Sequence, residues 1–158
     1  MTAADARRES AMTPQEMLGR LGEVIGTSDW IVVDQDRIDA FADVTGDHNA
    51  IHVDREAARA TPFGTTIAHG FLTMSLLTMM AQESVPLIDV KMGLNYGFNR
   101  LRFISPVKAG KRIRGHFTLA ALVEKRPGEW EQTLEATVEI EGEDKPALSA
   151  EWLSRLFV

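Results

Sequence analysis

Eight residues, Thr45-Gly46-Asp47-His48-Asn49-Ala50-Ile51-His52, bring a carboxylate, a carboxamide and an imidazole together at the end of a predicted helix. Asp47 and His52 lie five positions apart, so a turn can set them side by side. There they could bind one water, take a proton from it and return a proton elsewhere. Asn49 is placed to orient that water or a substrate carbonyl. A second cluster, Ala68-His69-Gly70-Phe71, opens another predicted helix. An amide at a helix start has no intrahelical acceptor and sits at the positive end of the helix dipole. The Gly70 N–H is therefore a ready donor for a carbonyl oxygen gathering negative charge, and such donors contribute roughly 3–4 kcal/mol to a transition state. Residue types alone leave plainer readings open. Asp47 could simply cap a turn, His52 could be a structural histidine, and Gly70 could merely permit close packing.

Other chemistries fit less well. His48 and His52 at i, i+4, with Asp47 and His69, have ligand types suited to a metal, but the segment is not one continuous helix and matches no metal signature, so no metal is expected. Ser75 could bind a ligand or turn back onto its own helix backbone. There is no Gly-X-Ser-X-Gly elbow and no phosphate-cradling glycine loop. Lys108, Lys111, Arg112 and Arg114 form a small basic cluster, read as a solvated rim. With no cysteine in the chain, disulfides and thiolate chemistry are excluded.

The elements that must position these residues are legible in part. Residues 1–12 are polar and read as a flexible leader, with residues 13–158 as a single domain. Thr13-Pro14-Gln15-Glu16 predicts a helix start, Thr13 and Glu16 forming a capping box and Pro14 taking the first helical position. Trp30 to Val33 reads as a strand. Asp34 or Asp36 caps a helix carrying Ile38, Phe41, Ala42 and Thr45, and Gly46 stops it. A long connection, 47–68, holds one expected turn of helix near Asp54 to Arg59; connections of this length are usually functional. His69 to Gln82 is helical and apolar nearly all round, which predicts burial.

The second half changes period. Met92, Leu94, Tyr96 and Phe98 alternate, and the parity then shifts to Leu101 and Phe103, predicting a bulge near Asn99-Arg100. Alternating strands follow from Ile113, from Trp130 and from Leu148, with turns at Pro127-Gly128 and Glu141-Gly142. Strands with one wet face form antiparallel sheets. A curved antiparallel sheet wrapped around a long central helix, an α+β arrangement, reconciles one wholly apolar helix with a run of one-faced strands.

At 158 residues and 44% hydrophobic, the chain can bury a sizeable core. Its formal net charge of −6 argues against nucleic acid as a partner. The longest apolar run is too short to span a bilayer, so no membrane partner and a cytoplasmic location are expected.

Phe41 to His52 closely resembles the hydratase-2 motif of the MaoC-like (R)-specific enoyl-CoA hydratases and dehydratases, which runs Gly-Asp-X-Asn-Pro-aliphatic-His. Ile67 to Ser75 is similar to the start of that family's central helix. Asn95 to Phe103, followed by Pro106-Val107 and Gly110, resembles the branch related to nodulation protein N. The resemblance implies a hot-dog fold and reversible hydration of trans-2-enoyl-CoA to (3R)-3-hydroxyacyl-CoA. It assigns catalysis to Asp47, His52 and the Gly70 amide, and substrate contact to Asn49, His69, Ser75 and Tyr96. No cofactor is implied beyond coenzyme A as part of the substrate. An acyl-CoA or acyl carrier protein thioester would be the partner, and the protein would be a homodimer. A hot-dog thioesterase or a non-catalytic acyl-thioester binder are the alternatives. Ala50 stands where the motif has Pro, leaving the turn between Asp47 and His52 less rigid.

Overall fold

The computed structural model describes residues 1–158. Its helices are α1 (Ala3–Glu9), α2 (Pro14–Met17, extended by a 3₁₀ turn Leu18–Arg20), α3 (Gln35–Thr45), α4 (Ala50–Val53), α5 (Arg55–Arg59) and α6 (Gly70–Ser84). Its strands are β1 (Val24–Thr27), β2 (Ile31–Val33), β3 (Met92–Phe103), β4 (Lys111–Arg126), β5 (Glu129–Ile140) and β6 (Leu148–Phe157). All pair antiparallel in the order β1-β4-β5-β6-β3, and β2 also pairs with β4. This is the hot-dog arrangement, a curved antiparallel sheet packed on one long helix.

The core lies between α6 and the dry face of β4, β5 and β6. Leu72, Leu76, Leu77 and Met80 of α6 pack in one cluster with Ile113, Phe117, Leu134, Val138 and Leu148. Strands β4 to β6 alternate buried and open positions as a one-faced sheet does. The cations at the start of β4 are paired rather than bare. Arg112 meets Glu141, Arg114 meets Glu139 at 2.7 Å and Lys111 meets Glu143 at 3.6 Å, so three cations of the basic cluster are matched across to acids.

Two regions depart from the sequence expectation. The segment read as a flexible leader contains α1, whose Thr2 and Asp5 close a capping box. It docks through Arg7, which donates to the carbonyls of Val85 and Leu87 at 2.9 and 3.1 Å. The alternation of β3 predicts one dry face, yet this strand is largely exposed on both sides. It is a sheet edge, which the start of α6 meets at Phe103. Its ladder to β6 shifts register twice, at Asn95/Gly97 and at Phe98/Arg100. The second shift is the predicted bulge. The first falls at Gly97, whose φ of 153° lies outside the usual range of residues with a side chain.

The 47–68 connection is more ordered than its length predicts. Gly46 ends α3 in the left-handed region, φ 77°, and turns the chain toward α4. Asn49 caps α4, its Oδ1 accepting from Ile51 N–H at 3.3 Å. Asp54 caps α5. Beneath α4, buried Gln35 donates to the His52 carbonyl at 2.8 Å and to Asp39 at 2.7 Å, and accepts from the Thr66 hydroxyl at 2.5 Å. Ile67 N–H returns to the Ile51 carbonyl at 3.1 Å, and Ala68 N–H reaches Val107 at 2.7 Å. These bonds bring the two chemistry-bearing segments together.

Replacing Gln35 by Leu leaves the buried Thr66 hydroxyl and the His52 carbonyl without partners, and unsatisfied buried groups cost about 1–3 kcal/mol each. Gln35→Leu is expected to lose about 2–3 kcal/mol in urea unfolding; a change below about 0.5 kcal/mol would sink this account. Ala50 occupies the first position of α4, its N–H makes no hydrogen bond, and Asn49 before it is extended with ψ 134°. All three conditions suit proline. Ala50→Pro is therefore expected to stabilise the fold by ~0.4–1 kcal/mol, read as a higher Tm; a lower Tm counts against it.

Candidate active site

The site forms where the end of the α3–α4 connection meets the start of α6. His52 is buried, and its Nδ1 donates to the Ile67 carbonyl at 2.7 Å. A carbonyl can only accept, so Nδ1 carries a proton, and in the neutral ring Nε2 is the nitrogen with the lone pair. Asp47 sits on the exposed turn after Gly46, its carboxylate accepting from the Asn49 N–H at 3.3 Å. His69 is 2% exposed. Its ring stacks on His52 at a centroid distance of 3.8 Å, and Phe41 packs beside it at 5.0 Å. One donor atom from each of Asp47, His52 and His69 falls within 4.8 Å of the others.

Gly70 is the first residue of α6, and His69 before it offers no side-chain cap. The Gly70 N–H has no acceptor, as the first turn of a helix leaves it. The ring of Phe103 lies so close that a Cβ on Gly70 would meet it at 3.0 Å. His52, Gly70, Thr73 and Phe103 line one cavity of about 270 Å³, closed on the far side by Pro106, Val107 and Ala147. A carbonyl entering this cavity reaches an unpaired amide at the positive end of a fifteen-residue helix, and His52 lines the same cavity.

The sequence-predicted residues thus divide. Asp47, His52 and His69 come together and His52 shares a cavity with Gly70, whereas Asn49 spends its Oδ1 on capping α4. Ser75 and Tyr96 do not join them. They line a second cavity of about 390 Å³ with Thr78, Phe98 and Trp152, farther along α6. Ser75 donates to the Phe71 carbonyl at 2.7 Å, the local alternative open to a helical serine. Tyr96 is exposed, and the Arg155 guanidinium lies 4.5 Å above its ring. His48 points away, bonding Asp43 at 2.9 Å, and that carboxylate raises its pKa above the usual histidine value. The residue missed by sequence reading is Gln35. Its signal was a polar side chain in register with Ile38 and Ala42, on the buried stripe of α3.

The MaoC-like domain family matches residues 16–143. Nodulation protein N of Rhizobium leguminosarum bv. viciae is 53% identical over 137 residues, which is 85% of both chains. The 3-hydroxyacyl-thioester dehydratase Z of Mycobacterium tuberculosis H37Rv is 44% identical over 140 residues, 89% of this chain and 93% of that protein. Among solved structures, the (R)-hydratase from A. caviae involved in PHA biosynthesis superposes with a TM-score of 0.70 at 26% identity, covering 84% of this chain and 95% of that one. A MaoC-like dehydratase from Rhodospirillum rubrum, at 23% identity and a TM-score of 0.71, shares the fold. Motif, fold and site agree: the chain belongs to the MaoC-like dehydratase family.

Proposed function

We propose that the protein catalyses the reversible hydration of a trans-2-enoyl thioester to a (3R)-3-hydroxyacyl thioester. The observation that carries this reading is the convergence of His52 and the free Gly70 amide on one cavity, with the Asp47 carboxylate beside His52. In the hydration direction the thioester carbonyl would accept the Gly70 N–H, drawing electron density from the conjugated double bond. Water held between Asp47 and His52 would add its oxygen to the β-carbon as His52 Nε2 takes a proton. The resulting enolate would collect a proton at the α-carbon from the same pair, and dehydration is the reverse. The fixed Nδ1–H of His52 supports Nε2 as the accepting atom. The reaction is redox-neutral, so coenzyme A enters only as the thiol part of the substrate. Relatives named 3-hydroxyacyl-thioester dehydratase and (R)-hydratase support this substrate class and both directions. No helix is long and apolar enough to cross a membrane. A cysteine-free chain acting on thioesters suits the cytoplasm.

Hydration of crotonyl-CoA, followed by loss of the conjugated thioester absorbance, tests the reading. Asp47→Asn and His52→Gln are each expected to lower kcat roughly 10²–10⁴-fold, the usual contribution of a positioned acid or base. Near-wild-type rates in both variants would overturn the mechanism, and release of free thiol in place of hydration would point to a thioesterase.

We also propose that the working form is a homodimer joined along β3. Its twelve-residue edge leaves Met92, Leu94 and Tyr96 exposed at 47%, 49% and 61%, and an exposed edge of that length is normally paired or covered. Light scattering is expected to give twice the 17.5 kDa chain mass, and Leu94→Lys to shift the population toward monomer. A monomeric wild type at micromolar concentration would refute the dimer.

A further inference from the structure

His69 touches both halves of the site without reaching into the cavity that joins them. Its Nε2 donates to the main-chain carbonyl of Asp47 at 2.9 Å. Its ring face lies against His52, and the next residue in the chain is Gly70. The ring is 2% exposed, and its other nitrogen, Nδ1, is buried with no partner. A buried nitrogen left unsatisfied asks for an explanation. An apolar side chain would fill the same space beside Phe41 without that defect. What only a donor can supply at this position is the bond to Asp47.

That bond matters because the other side-chain tie of the turn, His48 to Asp43, leads back to α3 and not to α6. Asp47 to Ala50 are exposed. Gly46 ends α3 in the left-handed conformation, and the bonds within 46–49 run only between near neighbours. His69 spans twenty-two residues of sequence to fasten this turn to the start of α6.

We propose that His69 is a positioning residue. It clamps the Asp47 turn to the head of α6 and so sets the distance between the acid/base pair and the Gly70 amide. The groups facing it are the Asp47 peptide on one side, the His52 imidazole on its ring face and the Phe41 ring from α3. It does not line the cavity that His52 and Gly70 share, and its effect passes through Asp47 and His52. A misplacement of about 1 Å at such a pair can cost on the order of a hundredfold in rate.

The kinetic arm of the test rests on the hydratase reading; the structural arm does not. Two variants separate the functions of the ring. His69→Phe keeps the stack and the bulk but removes the donor, whereas His69→Gln restores a donor at similar reach without the ring. With crotonyl-CoA, His69→Phe is expected to lower kcat about 10- to 100-fold with KM changed less than about threefold. His69→Gln is expected to recover kcat to within about fivefold of wild type. Hydrogen–deuterium exchange of the 46–52 peptide should rise at least about fivefold in His69→Phe and return toward wild type in His69→Gln, with the 70–84 peptide unchanged. In the unmodified protein the His69 Nε2–H should give a slowly exchanging imidazole proton by NMR, which requires no variant to fold. A loss confined to KM, a Gln variant no better than Phe, or wild-type exchange in the Phe variant each overturns the proposal, as does absence of the protected proton. If the wild type turns over no enoyl thioester, the hydratase reading fails, and the exchange and NMR results still decide the clamp.

Discussion

Ile67 is held at both ends of its peptide. Its N–H donates to the Ile51 carbonyl and its own carbonyl accepts the His52 Nδ1–H, so one buried residue fixes the position and the donating nitrogen of the His52 imidazole. Buried main-chain groups must be paired, and here the pairing is met by the site itself. The chain on either side of Ile67 is committed as well. Thr66 bonds Gln35, and Ala68 bonds Val107, so the segment runs like a short strand between the α4 turn and the 106–110 loop. The direction in which α6 leaves this segment is then set, and with it the place where the unpaired Gly70 amide points.

The sheet serves this junction by supplying bulk. Helix α6 can begin with an unsatisfied, uncapped first turn because its remaining length is anchored by Leu72, Leu76, Leu77 and Met80 against β4 to β6. Helices in proteins draw most of their stability from such packing rather than from their own ends. The first turn of the helix is thereby free to leave its Gly70 amide open to the cavity. The same division appears across the connection, where small capped elements, α4 and α5, carry polar groups and the sheet carries the stability.

How much of this could be read from the residues depends on the range of the interaction. Capping by Thr13 and by Asp34, one of the two aspartates expected there, and the stop at Gly46 are local, and each is visible in a few consecutive side chains. Helix α1 was hidden because its local capping box sits in a polar stretch, and what holds it, Arg7 on the Val85 and Leu87 carbonyls, lies some eighty residues away. Helix α4 is four residues long and owes its place to Ile67 rather than to periodicity. The grouping of Asp47, His52 and Gly70 came from motif resemblance, since residue types alone left it open. The separation of Ser75 and Tyr96 from that group was not legible, because their distance depends on how far along α6 each cavity falls. The exposure of β3 was equally hidden: an alternating strand has the same pattern whether its apolar side meets its own core or another surface.

The two register shifts in β3 also guard the chain against itself. A long, uncovered strand with apolar side chains is a template that any extended peptide could extend. Bulges at Asn95/Gly97 and Phe98/Arg100 break that template into short segments with a locally stronger twist. An incoming strand of ordinary, unbroken geometry finds its hydrogen bonds out of step after a few residues. A partner shaped to the same interruptions can follow the whole edge, so the irregularity screens out promiscuous, open-ended stacking while leaving a matched surface free to close.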